Sequence, residues 1–452
     1  MRVCQHLRRH VVDTPSLWTH VDHIQDPAAL SFVLERAENV PVDITCLIVT
    51  GPDDVRFTTL AAHMHHIRTL CLNLNPIGHN YRIEKTNRAF TAFKMTAPLL
   101  QRLSMRAERA IGSDSLIQVF SSFTMAASTK PLLSSLQLHG VDLDRDFFRR
   151  LPTLREFSFS GCEDTRFLGS RVPEYISQHV HNLATINLEL SGWSVTGGSS
   201  GFGQSVQQIN IRWIRPGLFV PRQAIPDRAG WSSIRAVHVA HMCSSSDVLL
   251  TTTSTPTNLA IPETIAPYQN LSVRTSGAPN PRTHMRVIDR EERERVFCGL
   301  HPTTVADMVA HIPGQDITAI TIDTTSILLG IFSSARCPTL NRLRIVLDTN
   351  DISWFRVLTQ NMLGITTLER LEFGKEAGSS ALTWSSAIIM SVLASCVATG
   401  NIIRAVVFLG FQPEAQFVAS AKMFAQEVVV DRGWREPESD RVWFTEPPFE
   451  WF

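Results

Sequence analysis

The stretch Leu340-Asn341-Arg342-Leu343-Arg344-Ile345 carries the pattern that decides the fold of this 452-residue chain. Apolar residues occupy the first, fourth and sixth positions of the six-residue unit. Because the fourth and sixth residues lie two apart, a short strand turns both to one face of a sheet, while the first anchors the turn that enters the strand. The unit recurs about eleven times, with these apolar residues: Ile67-Leu70-Leu72, Leu100-Leu103-Met105, Leu133-Leu136-Leu138, Leu154-Phe157-Phe159, Leu183-Ile186-Leu188, Val206-Ile209-Ile211, Ile234-Val237-Val239, Ile317-Ile320-Ile322, Leu340-Leu343-Ile345, Leu368-Leu371-Phe373 and Ile403-Val406-Phe408.

A single unit cannot bury its apolar face, so the units must stack on one another. Parallel neighbours close the core, and each return path then needs a helix or irregular segment of about a dozen residues or more. Segments with apolar residues at helical spacing supply these return paths. We expect helices over residues 115–123, 173–180, 304–311, 326–332, 352–363, 384–398 and 414–426.

The spacing of the units resembles that of leucine-rich repeats, whose periods are about 20 to 29 residues. Successive units begin roughly 21 to 35 residues apart, except for one gap between Ile234 and Ile317. Leucine-rich repeats usually carry Asn or Cys eight residues after the first apolar position, and this chain does so only at Asn75 and Cys162. We therefore expect an α/β fold, an irregular leucine-rich-repeat-like solenoid with a parallel sheet on one face and helices on the other. The alternative is a compact α/β domain whose strands share the same spacing.

The first twenty-two residues contain Val3-Cys4, Leu7, Arg8, Pro15 and Leu17-Trp18, and with these residues the stretch resembles the C-terminal part of an F-box. In that family a Val-Cys pair opens the last helix, an aromatic residue follows three positions later, and a Leu-Trp pair closes the module after a turn containing proline. Here Val3-Cys4, Arg8, Pro15 and Leu17-Trp18 fit this pattern, and Leu7 stands at the aromatic position. The chain is thus expected to begin with a partial F-box helix.

The resemblance implies a role for these residues in binding the adaptor protein of a cullin-based ubiquitin ligase. The first two-thirds of the module would lie upstream of Met1, so we expect the F-box to be incomplete. The residues implied in adaptor binding are Val3, Cys4, Leu7, Leu17 and Trp18.

The resemblance continues beyond the module. Phe32–Arg36 and Asn39–Val42 look like the segment that follows the F-box in the large fungal F-box and leucine-rich-repeat families. The same residues also fit a capped helix followed by a strand, because Asp26 can accept hydrogen bonds from the first free amides, Pro27 suits the first helical position, and Pro41 ends the helical run. Both interpretations can hold together.

Breaks in the repeat pattern indicate the domain organisation. We expect an F-box remnant over residues 1–25 and the solenoid over residues 26–452. A long loop over about residues 242–303 should interrupt the solenoid, because that region lacks clear units and is rich in Ser, Thr and Pro. A C-terminal helix and tail are expected over residues 413–452, with residues 435–452 forming an end cap or a peptide that docks on the solenoid.

Composition excludes several classes of protein. Lys plus Arg and Asp plus Glu both number 42, so no overall charge favours nucleic acid or an anionic membrane as a partner. The eight cysteines include no C-x-x-C pair, which argues against a zinc site and a dense disulfide framework, and we expect reduced thiols. We expect no secretory signal at the N-terminus, and the apolar stretch Ala387–Ala398 is too short to span a bilayer. We expect a cytoplasmic or nuclear protein without a cofactor.

Three groups of residues could carry chemistry, but each has a simpler explanation. His63-x-His65-His66 has no further ligand at a spacing known from metal sites and fits a solvated helix end. Gly197–Gly203 lacks the Gly-Lys-Ser/Thr ending of phosphate-binding loops and fits a surface loop. Glu291, Glu292 and Glu294 alternate with arginines and fit a mutually screened surface. We nominate no catalytic residue, and we expect that the protein is not an enzyme.

The units also predict a polar face for recognition of a folded protein. The third and fifth residues of each unit should point away from the core. By this register Arg342, Arg344, Arg370 and Glu372 are neighbours, and we predict that they bind a protein partner, although they could simply make the surface soluble. Together with the resemblance, this predicts a noncatalytic substrate-recognition subunit of an SCF-type (cullin-RING) ubiquitin ligase. The alternatives are a repeat scaffold that binds a protein without a ligase, and an enzyme on an α/β scaffold.

Overall fold

The structure is a computed structural model. It describes residues 2–24, 26–49, 54–74, 97–107, 117–118, 132–139, 141–142, 151–160, 180–191, 205–215, 234–241, 268–276, 282–312, 314–332, 337–348, 351, 353–361, 365–375, 386–398, 400–413 and 415–434. The chain forms two compact units. Unit 1 comprises Met1–Ile209 with Arg228–Gly230, and unit 2 comprises Asn210–Asp227 with Trp231–Phe452.

Among the residues that the structure describes, unit 1 combines short strands with three helices. The helices are α1 (Arg2–Val12), α2 (Pro27–Ala37) and α3 (Val55–His63), with a 3₁₀ turn at Pro15–Trp18. The strands are β1 (His20–Asp22), β2 (Val42–Val49), β3 (Ile67–Leu74), β4 (Arg102–Ala107), β5 (Ile117–Gln118), β6 (Ser135–His139), β7 (Val141–Asp142), β8 (Glu156–Ser160) and β9 (Thr185–Ser191). Strand β10 (Gln208–Arg215) contains the boundary between the units.

Unit 2 contains the remaining described elements. Its strands are β11 (Ala236–His241), β12 (Tyr268–Ser276), β13 (Arg282–Asp289), β14 (Glu294–Leu300), β15 (Ala319–Asp323), β16 (Arg342–Leu347), β17 (Arg370–Lys375), β18 (Ile403–Leu409) and β19 (Ala425–Asp431). Its helices are α4 (Pro302–His311), α5 (Thr324–Leu328), α6 (Trp354–Asn361), α7 (Ser386–Ala398) and α8 (Ala415–Ala421), with a 3₁₀ turn at Gly314–Asp316. No helix in the described ranges of either unit is long and apolar enough to cross a membrane.

The sheet of unit 1 is parallel, in the order β1-β2-β3-β4-β6-β8-β9, and β5 pairs separately with β7. The fourth and sixth residues of the units form two buried rows across five of its strands, each residue at most 6% exposed. The first row is Leu70, Leu103, Leu136, Phe157 and Ile186, and the second is Leu72, Met105, Leu138, Phe159 and Leu188. The predicted stacking of the units into a parallel sheet is confirmed here.

The sheet of unit 2 has the order β11-β14-β13-β12-β15-β16-β17-β18-β19. Only β13 among these strands runs antiparallel to its neighbours. Two buried rows again cross the parallel part, each residue at most 3% exposed. They are Leu271, Ile320, Leu343, Leu371 and Val406, and then Val273, Ile322, Ile345, Phe373 and Phe408. The chain is therefore an α/β protein with large, mostly parallel sheets.

Residues 268–276 and 282–300 differ from the prediction of a long loop over residues 242–303. They contain β12, β13 and β14, a meander of three adjacent strands. Strand β12 is itself a unit, with Tyr268, Leu271 and Val273 at the first, fourth and sixth positions, all at most 3% exposed. The sequence prediction missed this unit because Tyr268, which carries a polar hydroxyl group, was not counted as an apolar first residue.

The helices of unit 2 lie between the strands along the chain, as the return paths require. Helix α5 contacts β12, β15 and β16, and neighbouring pairs among α5, α6, α7 and α8 pack together. The helix predicted over residues 414–426 ends at Ala421, and β19 follows it. Strand β19 repeats the pattern at Ala425, Val428 and Val430 and pairs with β18 in register. Of the helix predicted over residues 115–123, the structure describes only Ile117–Gln118, and these two residues form the strand β5 instead. Of the helix predicted over residues 173–180, it describes only Val180.

Aspartates start several helices as expected from capping chemistry. Asp26 accepts hydrogen bonds from the amides of Ala28 and Ala29 at 3.3 and 3.2 Å, which confirms the cap predicted before Pro27. Asp323 caps α5 by accepting from the Ser326 amide at 2.6 Å. Its carboxylate is fully buried, and this burial together with the nearby charge of Asp348 raises its pKa to about 7.

Threonines connect the turn of one unit to the turn before it. Thr153, Thr339 and Thr367 each stand immediately before the first apolar residue of a unit. Their hydroxyls donate to the carbonyls of Leu133, Ile317 and Leu340, which are the first apolar residues of the preceding units, at 2.9, 3.0 and 2.8 Å. Each turn thus satisfies a carbonyl of its neighbour, which fixes how the units stack.

Candidate functional site

The four residues predicted to bind a partner form one ionic cluster on the outer face of the unit 2 sheet. Arg342 binds the Glu372 carboxylate through two hydrogen bonds, Nε to Oε1 at 2.9 Å and Nη2 to Oε2 at 3.0 Å. Arg344 donates from Nε to Oε2 at 2.6 Å, and Arg370 donates from Nε to Oε1 at 2.6 Å. We call these four residues the arginine cluster.

The repeat register places the cluster. Arg342 and Arg344 are the third and fifth residues of the unit on β16, so both side chains leave the sheet on the face opposite the apolar rows. Arg342 is the register partner of Arg370, and Arg344 is the register partner of Glu372 on β17. Two adjacent strands in this register therefore bring three guanidinium groups within hydrogen-bonding distance of a single carboxylate.

The side chain of Glu372 is more buried than the sequence predicted. The sequence predicted Glu372 at the surface, whereas its side chain is 0% exposed because the arginines cover it. The side chains of Arg342 and Arg370 remain 42% and 48% exposed, and that of Arg344 is 16% exposed. The buried carboxylate thus holds the guanidinium groups in place and leaves two of them open to solvent.

Electrostatics keep Glu372 ionised. Burial alone would raise the pKa of its carboxyl group, but the hydrogen bonds and charges of the three arginines outweigh this effect and lower the pKa. Three positive charges against one negative charge leave a net charge of about +2 on the cluster. Arg344 and Arg370 each use a single N–H group for Glu372, so most of their N–H groups have no acceptor among the described residues.

An open cavity of about 190 Å³ adjoins the cluster on the same face. It crosses strands β12, β13, β15 and β16. Its lining comprises Asn270, Leu271, Ser272, Arg286, Ile288, Ala319, Ile320, Thr321, Arg342 and Arg344. Arg342 and Arg344 therefore belong both to the cluster and to the wall of the cavity.

Differences in side-chain size along the register produce the cavity. Arg286, Ser272, Thr321 and Arg344 are consecutive register partners on four neighbouring strands. The two small hydroxyl residues form the floor, and the two arginines form opposite walls. Arg286 pairs with Glu294, so the wall on β13 is electrically balanced while the wall on β16 carries the excess positive charge.

Trp434 covers the outer face on the other side of the cluster. The Arg344 guanidinium carbon lies 5.6 Å from the centre of its ring, a cation–π contact. The indole also packs against Ala405, Val407 and Leu409, which form a small apolar area on β18. Gly410, at φ +78°, permits this approach, since a β carbon there would lie 3.4 Å from the Trp434 ring.

Several residues of this face were missed by sequence reasoning. Asn270, Ser272 and Arg286 lie within the region predicted to be a loop. The signal that could have found them is Tyr268 as the first residue of a unit, which puts Asn270 and Ser272 at the third and fifth positions. Trp434 lies outside any unit, and the pattern gave no sign of it.

The residues implied in adaptor binding lie in α1 and in the 3₁₀ turn after it. Cys4 and Leu7 are exposed on α1, Leu7 by 61%, and Leu17 is 58% exposed. Trp18 has a structural contact instead, because its indole N–H donates to the Val11 carbonyl at 3.0 Å and its ring packs edge-on against Phe32 at 5.6 Å. Val3 belongs to α1, and its side chain lies outside the described residues.

The histidine group differs in part from the prediction of a solvated helix end. His65 is exposed, but His66 is only 1% exposed and its Nδ1–H donates to the carbonyl of Glu38. Burial lowers the pKa of His66, which favours its neutral form. Over the described parts of the chain, no three His, Cys, Asp or Glu side chains are arranged to hold a metal ion.

Of the other two groups, the glutamates lie in the described part of the chain, where Glu291 and Glu292 are exposed. Glu294 is half-buried and pairs with Arg286 and with His238 Nε2, the latter at 3.5 Å, so it belongs to a local ion-pair network of the sheet. Gly197–Gly203 lies outside the described residues.

Comparison of the sequence with protein-family models and with curated proteins gave no match.

Proposed function

We propose that this chain is a noncatalytic protein-interaction module that captures a partner protein on the outer face of the unit 2 sheet. The observation that supports this most is the arginine cluster, in which a buried carboxylate fixes three guanidinium groups beside an open polar cavity. Fixed guanidinium groups lose little side-chain entropy on binding and offer planar, directed donors, which favours recognition of another protein.

We further propose that the parallel sheets belong to an irregular leucine-rich-repeat-like solenoid and that α1 is the remnant of an F-box. The chain would then be a substrate-recognition subunit of an SCF-type ubiquitin ligase in the cytoplasm or nucleus. Exposed Leu7 and Leu17 support an adaptor-binding role, because exposed apolar side chains gathered on one segment are typical of contact sites. Trp18 would position the segment through Val11 and Phe32.

A pull-down with purified adaptor tests the ligase part of this proposal. We expect the full chain to capture the adaptor, and deletion of residues 1–22 to abolish capture. Leu7→Ser and Leu17→Ser should weaken it, whereas Leu329→Ser, which changes an exposed leucine of unit 2, should leave it unchanged. Failure of the full chain to capture the adaptor would leave an interaction scaffold without a ligase.

Capture of cellular partners tests the sheet face independently of the adaptor. Arg342→Gln combined with Arg370→Gln should remove most of the proteins that cross-link to the chain. Arg404→Gln is the matched control, because Arg404 is 66% exposed on the neighbouring strand β18 and pairs with Glu369 instead of the cluster. Equal capture by the two variants would show that the arginine cluster is not the partner site.

A further inference from the structure

We propose that the arginine cluster binds an extended acidic segment of the partner protein, with two carboxylate side chains two residues apart. This inference rests on the proposed function and adds the chemical class of the ligand. It follows from the spacing and charge of Arg342, Arg344 and Arg370 and from the exposure of Arg342 and Arg370, the side chain of Arg344 being 16% exposed.

Spacing supplies the first part of the argument. Arg342 and Arg344 stand two residues apart on one face of β16, and same-face residues of a strand are separated by about 6.6 to 6.8 Å. An extended peptide that runs along β16 repeats its own side chains at the same distance. Acidic residues at positions i and i+2 therefore reach both arginines at once, whereas adjacent acidic residues point to opposite sides of the peptide.

Charge supplies the second part. The cluster carries a net charge of about +2 after Glu372 is counted, which two carboxylates balance. Arg342 and Arg370 are register partners, so the first carboxylate would lie between two half-exposed guanidinium groups. The second would accept from the remaining N–H groups of Arg344 at the edge of the cavity, where the hydroxyl of Thr321 is also available.

The chain itself contains a segment with this chemistry. Glu436, Glu438 and Asp440 alternate with other residues shortly after Trp434. Trp434 already lies on the outer face, in contact with Arg344. A test of binding must therefore include a chain that ends at Trp434, so that occupation by a partner can be told from occupation by the chain's own residues.

Fluorescence anisotropy with labelled ten-residue peptides tests the proposal on the full chain. We expect a peptide containing Glu-x-Glu to bind about tenfold more tightly than a peptide of the same composition with adjacent glutamates. Arg342→Gln and Arg370→Gln should each weaken binding about tenfold, and Arg404→Gln should change it by less than about twofold. Added salt should weaken binding, because the contacts are partly exposed charges. Melting temperatures of the variants check that each remains folded.

Three results would overturn the proposal: equal affinity for the two glutamate peptides, tighter binding of a single-phosphoserine peptide than of the Glu-x-Glu peptide, or a gain of more than about tenfold on truncation after Trp434. The last result would assign the site to the chain's own acidic residues. The ligand chemistry and the proposed function can fail separately. If no acidic peptide binds but the variant that combines Arg342→Gln with Arg370→Gln still loses its cross-linked partners, only the ligand chemistry is wrong.

Discussion

The outer faces of the two sheets differ in the ratio of arginines to carboxylates. In unit 1, one arginine, Arg68, pairs with Asp43, whereas in unit 2 three arginines surround Glu372. In unit 1 the hydrogen bond from Arg68 lowers the pKa of Asp43, and the pair is neutral. In unit 2 the ratio is three to one and the excess positive charge remains. The inner faces follow the same apolar register in both units, whereas the outer faces differ in charge. The repeat pattern thus fixes the scaffold and leaves the outward positions free to differ in charge.

The largest expected effect tests whether the inner faces are equivalent. Phe159 in unit 1 and Phe373 in unit 2 both occupy the inner row formed by the sixth residues of the units and are at most 1% exposed. Phe159→Ala and Phe373→Ala should each reduce the free energy of unfolding by about 3 to 5 kcal/mol, because each leaves a cavity in a closed row. Urea unfolding followed by circular dichroism measures both losses, and losses that differ by more than about 2 kcal/mol would show that the rows are packed differently.

The next effect tests the difference between the outer faces. Glu372→Gln removes the buried charge that holds three guanidinium groups together, and we expect a loss of about 3 kcal/mol in the free energy of unfolding. Glu156→Gln changes an exposed carboxylate on the outer face of unit 1 and should cost less than about 0.5 kcal/mol. Similar losses from the two substitutions in urea unfolding would contradict a special role for Glu372.

A smaller effect appears in the dependence of stability on pH, with opposite signs in the two units. The pKa of Asp323 is raised to about 7, so its contribution to stability is fully present below its unfolded pKa of about 3.9 and is lost as the pH rises through 7. Asparagine does not titrate, so we expect the free energy of unfolding of Asp323→Asn to fall less than that of the unmodified protein as the pH rises, by on the order of 2 kcal/mol.

The pKa of Asp43 is lowered, so its contribution is present above the unfolded pKa and is lost as the pH falls below it. Asp43→Asn should therefore flatten the acid side of the stability profile. Urea midpoints measured at intervals between about pH 3 and pH 8 separate the two cases. A profile for Asp323→Asn that parallels the unmodified protein would contradict the assignment.

The smallest expected effect concerns the turn contacts that the two units share. Thr153→Val and Thr367→Val keep the shape of the side chain but remove a hydrogen bond to the preceding turn, and each should cost about 1 kcal/mol. Thr185→Val, on the outer face of β9, removes a hydroxyl without a partner among the described residues and serves as the control. If all three substitutions have the same effect in thermal unfolding, the threonine contacts do not stabilise the stacking.

Much of the fold could be predicted because a period-two pattern records burial directly. Leu343 and Ile345, for example, are fully buried as their positions required. The meander of β12, β13 and β14 could not be predicted in the same way. Strand β13 is antiparallel and lies in a region rich in polar residues, and the buried Tyr268 was not counted as an apolar first residue.

In the candidate site, the sequence likewise predicted which residues are neighbours but not how buried they are. The register correctly made Arg342, Arg344, Arg370 and Glu372 neighbours, because partners across parallel strands follow from the spacing. It could not predict that Glu372 would be buried, since burial there depends on the conformations of three long side chains. The contact of Trp434 with Arg344 depends on a turn after the last strand, which no repeat specifies.

The meander in unit 2 also bears on how that unit acquires its structure. Strands β12, β13 and β14 pair across links of only a few residues, whereas the parallel pairs require the chain to return over a much longer path. Short links close with little loss of chain entropy, and hairpins form within about 1 to 10 μs. We therefore expect this meander to form early and to provide the first template on which β15, and then the following strands, add in order.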